Sequence, residues 1–332
     1  MSEPVRWGFL GAGNISTVAL APAVAGASGA TLHAVAARDV ERARALASAY
    51  DAPHAYGSYE ALLADPDVDA VYVGLANDAH LPWSESALSA GKHVLCEKPL
   101  GLSAVEVDRM AAASAAGGRL LVEASWYRWH PRVSLAQRLL ATGAIGAVRQ
   151  VSAGFCFPGV PEGNYRLDPT KGGGAAYDIG CYAVSAVLWA YGGELPAAVA
   201  ARMERGPSGV DMTADLIVSC AGGDAQVHVS MAEPERQWLV ITGEEGEIEL
   251  PSSPYTAWWA NDTELLLSDG SGTQRLAVPA VNAYQLMVEQ ISSVLGGGEG
   301  WVLPLAESRA TAAVLDAAFA SAGAGGEPVR PD

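Results

Sequence analysis

Short apolar runs and longer helical patterns alternate through the first 125 residues. Val5 to Leu10 reads as a strand, and a helix follows from about Ile15. Thr31 to Ala37 reads as a second strand and leads into a helix that Asp39 would cap, with Glu41 in its first turn. Ala70 to Leu75, His93 to Cys96 and Leu120 to Ala124 are further strand-like runs. Helical patterns from about Trp83 to Ala90 and from Ser103 to Ala116 separate them. Near-continuous apolar strands alternating with helices need cover on both faces, which a parallel, doubly wound α/β sheet provides. The pattern then changes. Val148 to Phe157 alternates as a strand, and from about Asp211 to Val278 short strand-like runs are punctuated by Gly-Gly, Gly-Glu, Ser-Pro and Asp-Gly turns. Two helical stretches, about Ala283 to Leu295 and Ala306 to Ala322, precede a Gly/Pro-rich tail. Sequential strands of this kind predict an antiparallel or mixed sheet.

The chain of 332 residues is long enough for two domains of about 150 residues each. Half of it is apolar and 17% is charged, which excludes disorder of the chain as a whole. Twenty basic against 37 acidic residues leave a net charge of −17, so a basic footprint for nucleic acid or an anionic membrane is excluded as the main function. Scarcity of lysine sets this balance, since only Lys92, Lys98 and Lys171 occur. Cys96, Cys156, Cys181 and Cys220 form no C-x-x-C pair, so free thiols and a cytoplasmic location are expected. Trp7 to Ala37 carries no charge, yet Glu3 stands where an export signal needs a basic residue. Gly11, Gly13, Asn14, Pro22 and His33 also interrupt the apolar run, so it reads as buried α/β structure and not as a membrane span.

The first strand runs into Gly11-Ala-Gly13-Asn14-Ile15-Ser16. Gly11 permits a tight turn and Gly13 a close approach of backbone amides to a pyrophosphate, which the following helix N-terminus then faces. Ser16 takes the place of a third glycine. An ordinary tight βα turn is the alternative. At the end of the second strand Ala37 stands where an NAD site places a ribose-binding carboxylate, and Arg38 offers a fork suited to a 2′-phosphate. NADP is therefore favoured over NAD. In the rival reading Asp39 holds the ribose and Arg38 faces water. Cys96-Glu97-Lys98-Pro99 ends a strand at the carboxyl edge, where open α/β sheets place ligands, which singles out Lys98 against the alternative of a solvated loop lysine. Further on, Lys171-Gly-Gly-Gly-Ala-Ala-Tyr-Asp-Ile-Gly-Cys-Tyr heads an apolar helix ending near Tyr191. Asp178 and Tyr182 lie four apart and share one helix face. An acid in such surroundings is costly without a function or a partner, though a helix-start carboxylate beside a core tyrosine is the plainer reading.

These elements resemble the glucose–fructose oxidoreductase, inositol dehydrogenase and rhizopine-catabolism family (Gfo/Idh/MocA). The resemblance is carried by Gly11-Ala-Gly-Asn-Ile-Ser, Glu97-Lys98-Pro99, Tyr56-Gly-Ser-Tyr-Glu, Asp67-Val-Asp-Ala-Val-Tyr-Val and Ala90-Gly-Lys-His-Val-Leu, and it runs through essentially the whole chain. It implies an NADP-binding Rossmann domain over residues 1–125, followed by an α+β domain over 126–332 with a large, mostly antiparallel open sheet. In this family such a sheet commonly forms the subunit interface, so a homo-oligomer, dimer or tetramer, is expected. The resemblance also implies that Leu75, Asn77, His80 and Glu97 line the cofactor cleft together with Lys98, and that Asp178 belongs to the substrate site.

Where many members carry histidine, Tyr182 stands here. That substitution resembles the branch of dihydrodiol dehydrogenases, NADP-linked xylose dehydrogenases and 3-keto-sugar reductases. Hydride transfer at a carbinol carbon requires a proton to move on or off its oxygen. A phenol with an unperturbed pKa of about 10 is a poor base at neutral pH, and a nearby ammonium favours its phenolate. Lys98 is the expected cation, Tyr182 the proton donor or acceptor, and Asp178 the anchor of a substrate hydroxyl; lysine and phenol are expected to meet on one substrate oxygen. Which of the two moves the proton stays open. Trp126, Tyr127 and Arg128 either wall the nicotinamide or substrate or pack the core. Asn164-Tyr-Arg-Leu-Asp resembles a substrate loop, so Arg166 either reaches a substrate hydroxyl or pairs with Asp168. His33, His54, His93, His130 and His228 show no metal-ligand spacing, so no metal is expected. The expected activity is NADP(H)-dependent oxidoreduction of a sugar or polyol, first as an aldose (xylose-like) 1-dehydrogenase. A 3-ketoreductase of (nucleotide-linked) 3-keto-sugars and a trans-dihydrodiol dehydrogenase are the enzymatic alternatives; a dinucleotide-binding sensor is the non-enzymatic one.

Overall fold

Six short strands, β1 (Val5–Leu10), β2 (Ala30–Ala36), β3 (His54–Tyr56), β4 (Ala70–Val73), β5 (His93–Cys96) and β6 (Leu121–Glu123), pair in parallel in the order β3-β2-β1-β4-β5-β6. The computed structural model describes residues 3–257 and 261–332. Its chain divides into two compact units. The first comprises Met1–Gly101, Val105–Trp129 and Asn282–Leu305, and the second comprises Leu102–Ala104, His130–Val281 and Ala306–Asp332.

In the first unit the order reverses beside β1, where Leu10 lies between Ala36 of β2 and Val73 of β4, the switch point of a Rossmann arrangement. Phe9, Val35, Val71 and Tyr72 are fully buried, as strands covered on both faces require. Asp39 caps the helix Val40–Ala49, its Oδ1 accepting from the Glu41 amide at 3.0 Å. Two elements escape the periodicity, β3 and the short helix Tyr59–Leu63, each too brief to display a repeat. The chain returns to this unit late. Asn282 caps the helix Ala283–Leu295, whose Ser292 hydroxyl accepts from Trp7 Nε1 at 3.1 Å and whose Tyr284 stacks on Trp126 at 4.4 Å.

The second unit holds eight strands: β7 (Val148–Pro158), β8 (Ala198–Arg205), β9 (Asp211–Cys220), β10 (Gly223–Ser230), β11 (Ala232–Gly243), β12 (Gly246–Glu249), β13 (Thr263–Asp269) and β14 (Gly272–Val278). Their order is β14-β13-β12-β11-β7-β10-β9-β8, and every pairing is antiparallel except β7 with β10. Val151, Ala153, Val227 and Val229 are buried, and the wholly buried helix Cys181–Ala190 packs against β7 and β10. Ser152, Gly154, Gln226 and His228 alternate onto the opposite face. Gly154 is required there because a β carbon would collide with the ring of Trp238 on β11. The helix Leu305–Gly323 is tied to β8 by the Ser321 hydroxyl, which accepts from the Ala201 amide at 2.9 Å. All four cysteines are free thiols. Among the described residues no helix is long and apolar enough to cross a membrane.

Candidate active site

The turn after β1 has the geometry a dinucleotide loop needs. Gly11 holds φ at +104°, and a β carbon there would lie 2.5 Å from the Gly74 carbonyl oxygen, so only glycine fits. A β carbon at Gly13 would meet nothing nearer than that oxygen at 3.9 Å, so the protein's own packing leaves space beside this backbone. The helical stretch beginning at Asn14 and Ile15 opens in a wide π turn, Ser16–Leu20, and the Thr17 amide and hydroxyl donate to Gly13 O at 3.1 and 2.9 Å. Buried Ser16 lies against Gly74, and among the described residues its hydroxyl has no hydrogen-bond partner. First-turn amides without intrahelical acceptors make this end receptive to phosphate.

At the end of β2, Ala37 is buried and Arg38 exposed beside Tyr59; burial raises the phenol's pKa against the pull of Arg38 and Arg42. Arg42 is the residue that sequence reasoning missed. Its Nη2 donates to the Ala12 carbonyl of the glycine loop at 2.5 Å. The available signal was its place one turn beyond Arg38. Asp39 is engaged through Oδ1 as a helix cap, and Arg38 and Arg42 beside it form a donor set that fits a 2′-phosphate.

The Glu97-Lys98-Pro99 turn is held from several sides. Glu97 accepts from the Tyr72 hydroxyl at 2.8 Å and from the Lys98 amide at 3.2 Å, and the Leu100 amide donates to buried Glu123 at 3.1 Å. The Lys98–Pro99 peptide is cis. His80 lies 2.8 Å through Nδ1 from the Pro99 carbonyl and 3.2 Å through Nε2 from that of Leu75. Burial holds its pKa below the usual histidine value. Its ring is fully buried, and its two contacts tie the Leu75–Asn77 loop to the lysine turn. Leu75 and Lys98 are half-buried and Asn77 is buried, all at the carboxyl edge of β4 and β5. Trp126 and Arg128 are only 4% and 3% exposed, one stacked on Tyr284 and the other lying over the Trp301 ring at 5.6 Å. Both contacts lie within the first unit.

In the second unit Asp178 lies on a wide π turn, Ala176–Gly180, with Tyr182 following at the start of the helix Cys181–Ala190. The Asp178 side chain is 6% exposed and accepts from Arg166 Nε at 2.6 Å. Burial works against the Arg166 cation, but the charges of Asp178 and its neighbours outweigh it, and the guanidinium's pKa rises. Arg166 therefore does not pair with Asp168, which binds Thr170 and Lys171. Tyr182 is buried, its ring 6.1 Å from those of Phe155 and Tyr255. A second missed residue supports this segment. Asp211, at the head of β9, accepts from the Ala176 amide at 2.7 Å, and a β carbon on Gly174 (φ +120°) would collide with its other oxygen. Burial pushes the Asp211 carboxyl up to about 6. A lone acid entering a strand was its only sequence signal.

His93 and His130 accept from the Leu120 and Arg132 amides at 2.9 and 3.1 Å. Two other groups, His33–His54–Asp65 and Cys156–His228–Glu233, converge in space although their spacing along the chain gives no sign of it.

Residues 5–124 match the family model GFO_IDH_MocA, described as an oxidoreductase family with an NAD-binding Rossmann fold, and residues 133–249 match its C-terminal domain. The chain is 34% identical over 331 residues to a D-xylose 1-dehydrogenase (NADP(+)) of Haloferax volcanii, covering 97% of this chain and 98% of the relative. It is 35% identical over 332 residues to a trans-1,2-dihydrobenzene-1,2-diol dehydrogenase of Xenopus laevis, covering 96% and 98%. Among solved structures, KijD10, a 3-ketoreductase from Actinomadura kijaniata in complex with NADP and TDP-benzene, superposes with a TM-score of 0.90 at 27% identity, covering 96% and 98%.

Proposed function

The chain belongs to the GFO/IDH/MocA oxidoreductase family, and on that premise we propose that it transfers hydride between NADP(H) and a carbinol or carbonyl carbon of a sugar or polyol, first as an aldose (xylose-like) 1-dehydrogenase. The observation that carries this reading is the buried Asp178–Arg166 pair one turn from Tyr182, in a chain that also places a lysine at the carboxyl edge of a dinucleotide-type sheet. When bound, the nicotinamide supplies the hydride acceptor or donor. Gly11, Gly13 and the amides of Asn14 and Ile15 would hold the pyrophosphate, and Ala37 would leave room for a 2′-phosphate beside Arg38. Asp178, fixed by Arg166, accepts from a substrate hydroxyl and orients the ring. In the oxidative direction the Tyr182 oxygen would take the proton of the substrate hydroxyl, and in the reductive direction the phenol would return it. The Lys98 ammonium favours the phenolate that begins this step and polarises the carbonyl in reverse.

A second reading, reduction of a 3-keto-sugar, is supported by the likeness to KijD10, and trans-dihydrodiol oxidation by the likeness to the Xenopus enzyme. Incubating the protein with NADP⁺ and aldoses, polyols and trans-dihydrodiols, or with NADPH and keto-sugars, and following NADPH absorbance separates these. Turnover of an aldose with NADP⁺ is the expected outcome. Silence across the panel despite NADPH binding would overturn the enzymatic reading in favour of a sensor.

A further inference from the structure

On the sheet face of the second unit opposite the helix Cys181–Ala190, strand pairing assembles donors that the proposed chemistry does not use. His228 on β10 stands opposite Gly154 of β7 and Asp215 of β9, while Cys156 of β7 stands opposite Ser230 of β10. The β11 register slips between Ala232 and Arg236, so Glu233 sits in a bulge, a device that re-aims a side chain, and turns back over both. The Cys156 thiol lies 3.7 Å from Glu233 Oε2, and His228 Nε2 lies 3.1 Å from each Glu233 oxygen. On its other side His228 Nδ1 meets Asp215 Oδ1 at 2.6 Å.

We propose that Cys156, His228 and Glu233 bind a single divalent cation of the zinc class, with Asp215 fixing the histidine tautomer and water completing a tetrahedron. The three donor atoms lie within 4.8 Å of one another. Bonds of about 2.3 Å to sulfur and about 2.1 Å to nitrogen and oxygen around a tetrahedral zinc separate its ligand atoms by roughly 3.3–3.7 Å. The observed contacts are already near that spacing. A mixed thiolate, imidazole and carboxylate set selects zinc over magnesium or calcium. A carboxylate on the second imidazole nitrogen is the usual outer support of a zinc-bound histidine. The nearby cation, Arg236, is drawn over the Trp238 ring at 4.7 Å. Cys156 is buried, and Asp215, His228 and Trp238 line a depression of about 710 Å³ beside it. The His33–His54–Asp65 group is the weaker candidate, since Asp65 already accepts from the Tyr56 hydroxyl at 3.0 Å and the Asp67 amide at 2.8 Å.

The test uses the full-length chain, stripped with a chelator, dialysed and titrated with Zn²⁺ and Co²⁺ at neutral pH. One equivalent of zinc per chain is expected, and a cobalt spectrum with a sulfur-to-metal charge-transfer band and intense tetrahedral absorption. Cys156→Ser should abolish the charge-transfer band. Asp215→Asn should weaken affinity by about 10–100-fold while leaving the spectrum's form unchanged. Failure to bind one equivalent, a weak octahedral cobalt spectrum without the sulfur band, or undiminished zinc uptake by folded Cys156→Ser would each overturn the proposal. If Cys156→Ser does not fold, the wild-type cobalt spectrum decides alone.

Discussion

Replacing Arg166 by methionine removes a counter-charge from a carboxylate that water hardly reaches. The Asp178 side chain is 6% exposed, that of Arg166 27%, and their closest atoms are 2.6 Å apart. At an effective dielectric constant of about 20, two unit charges at this separation attract by roughly 6 kcal/mol, and desolvation of both ions returns much of that. Removing one member of a buried pair costs about 3–5 kcal/mol, and the partial exposure of Arg166 argues for the lower end, about 3 kcal/mol. Arg166→Met should therefore shift the urea unfolding transition followed by circular dichroism by that amount. The double variant Asp178→Asn/Arg166→Met, which leaves no charge behind, should recover most of the loss while substrate KM stays high. NADPH affinity, measured by fluorescence, should not move in either. A single variant within about 0.5 kcal/mol of wild type, or a double variant no more stable than the single one, would refute the view that this pair holds the substrate-side segment.

Tyr182→Phe and Lys98→Ala should each lower turnover by about 10²–10⁴-fold, the usual worth of a positioned proton-transfer group, with NADPH affinity changed only a few-fold. Near-normal rates in both would end the proton-relay assignment. Arg38→Ala should weaken NADPH by about 10–100-fold, the equivalent of a charge-assisted hydrogen bond, and NADH far less; equal losses would remove the phosphate argument. The Asp211 carboxyl is raised to about 6 in the fold. Its contribution to stability is thus complete below an unfolded pKa of about 4 and is lost as pH rises through about 6, a change of roughly 3 kcal/mol. The stability of wild type relative to Asp211→Asn should fall by up to that amount between acid and neutral pH, and a difference flat with pH would contradict it.

Where the chain carries long apolar runs, sequence and structure coincide. β1 and β5 occupy the expected residues, and the late helix Ala283–Leu295 begins and ends where its pattern does. Local polar chemistry was readable too, since the Asp39 cap needs only residues 39–41. What stayed hidden depends on partners distant along the chain or on runs too short to repeat. β3 is one such run. The parallel pairing of β7 with β10 leaves no trace in either strand's alternation, yet it sets which residues face Cys156 and His228. Arg166 gave no hint of choosing Asp178 over the nearer Asp168, because that choice is made by a loop folding back and by the burial of one carboxylate but not the other. Asp211 and Arg42 were hidden for the same reason: each serves a backbone group far from it in sequence.

The late return of residues 282–305 to the first unit has a practical consequence. A fragment ending at Trp129 would lose the hydroxyl that accepts from Trp7 and the ring on which Trp126 stacks, leaving both indoles bare on a body without its last helix. Such a fragment should clump during expression rather than survive as a miniature nucleotide binder. A useful excision would have to splice the distant segment back on through a linker.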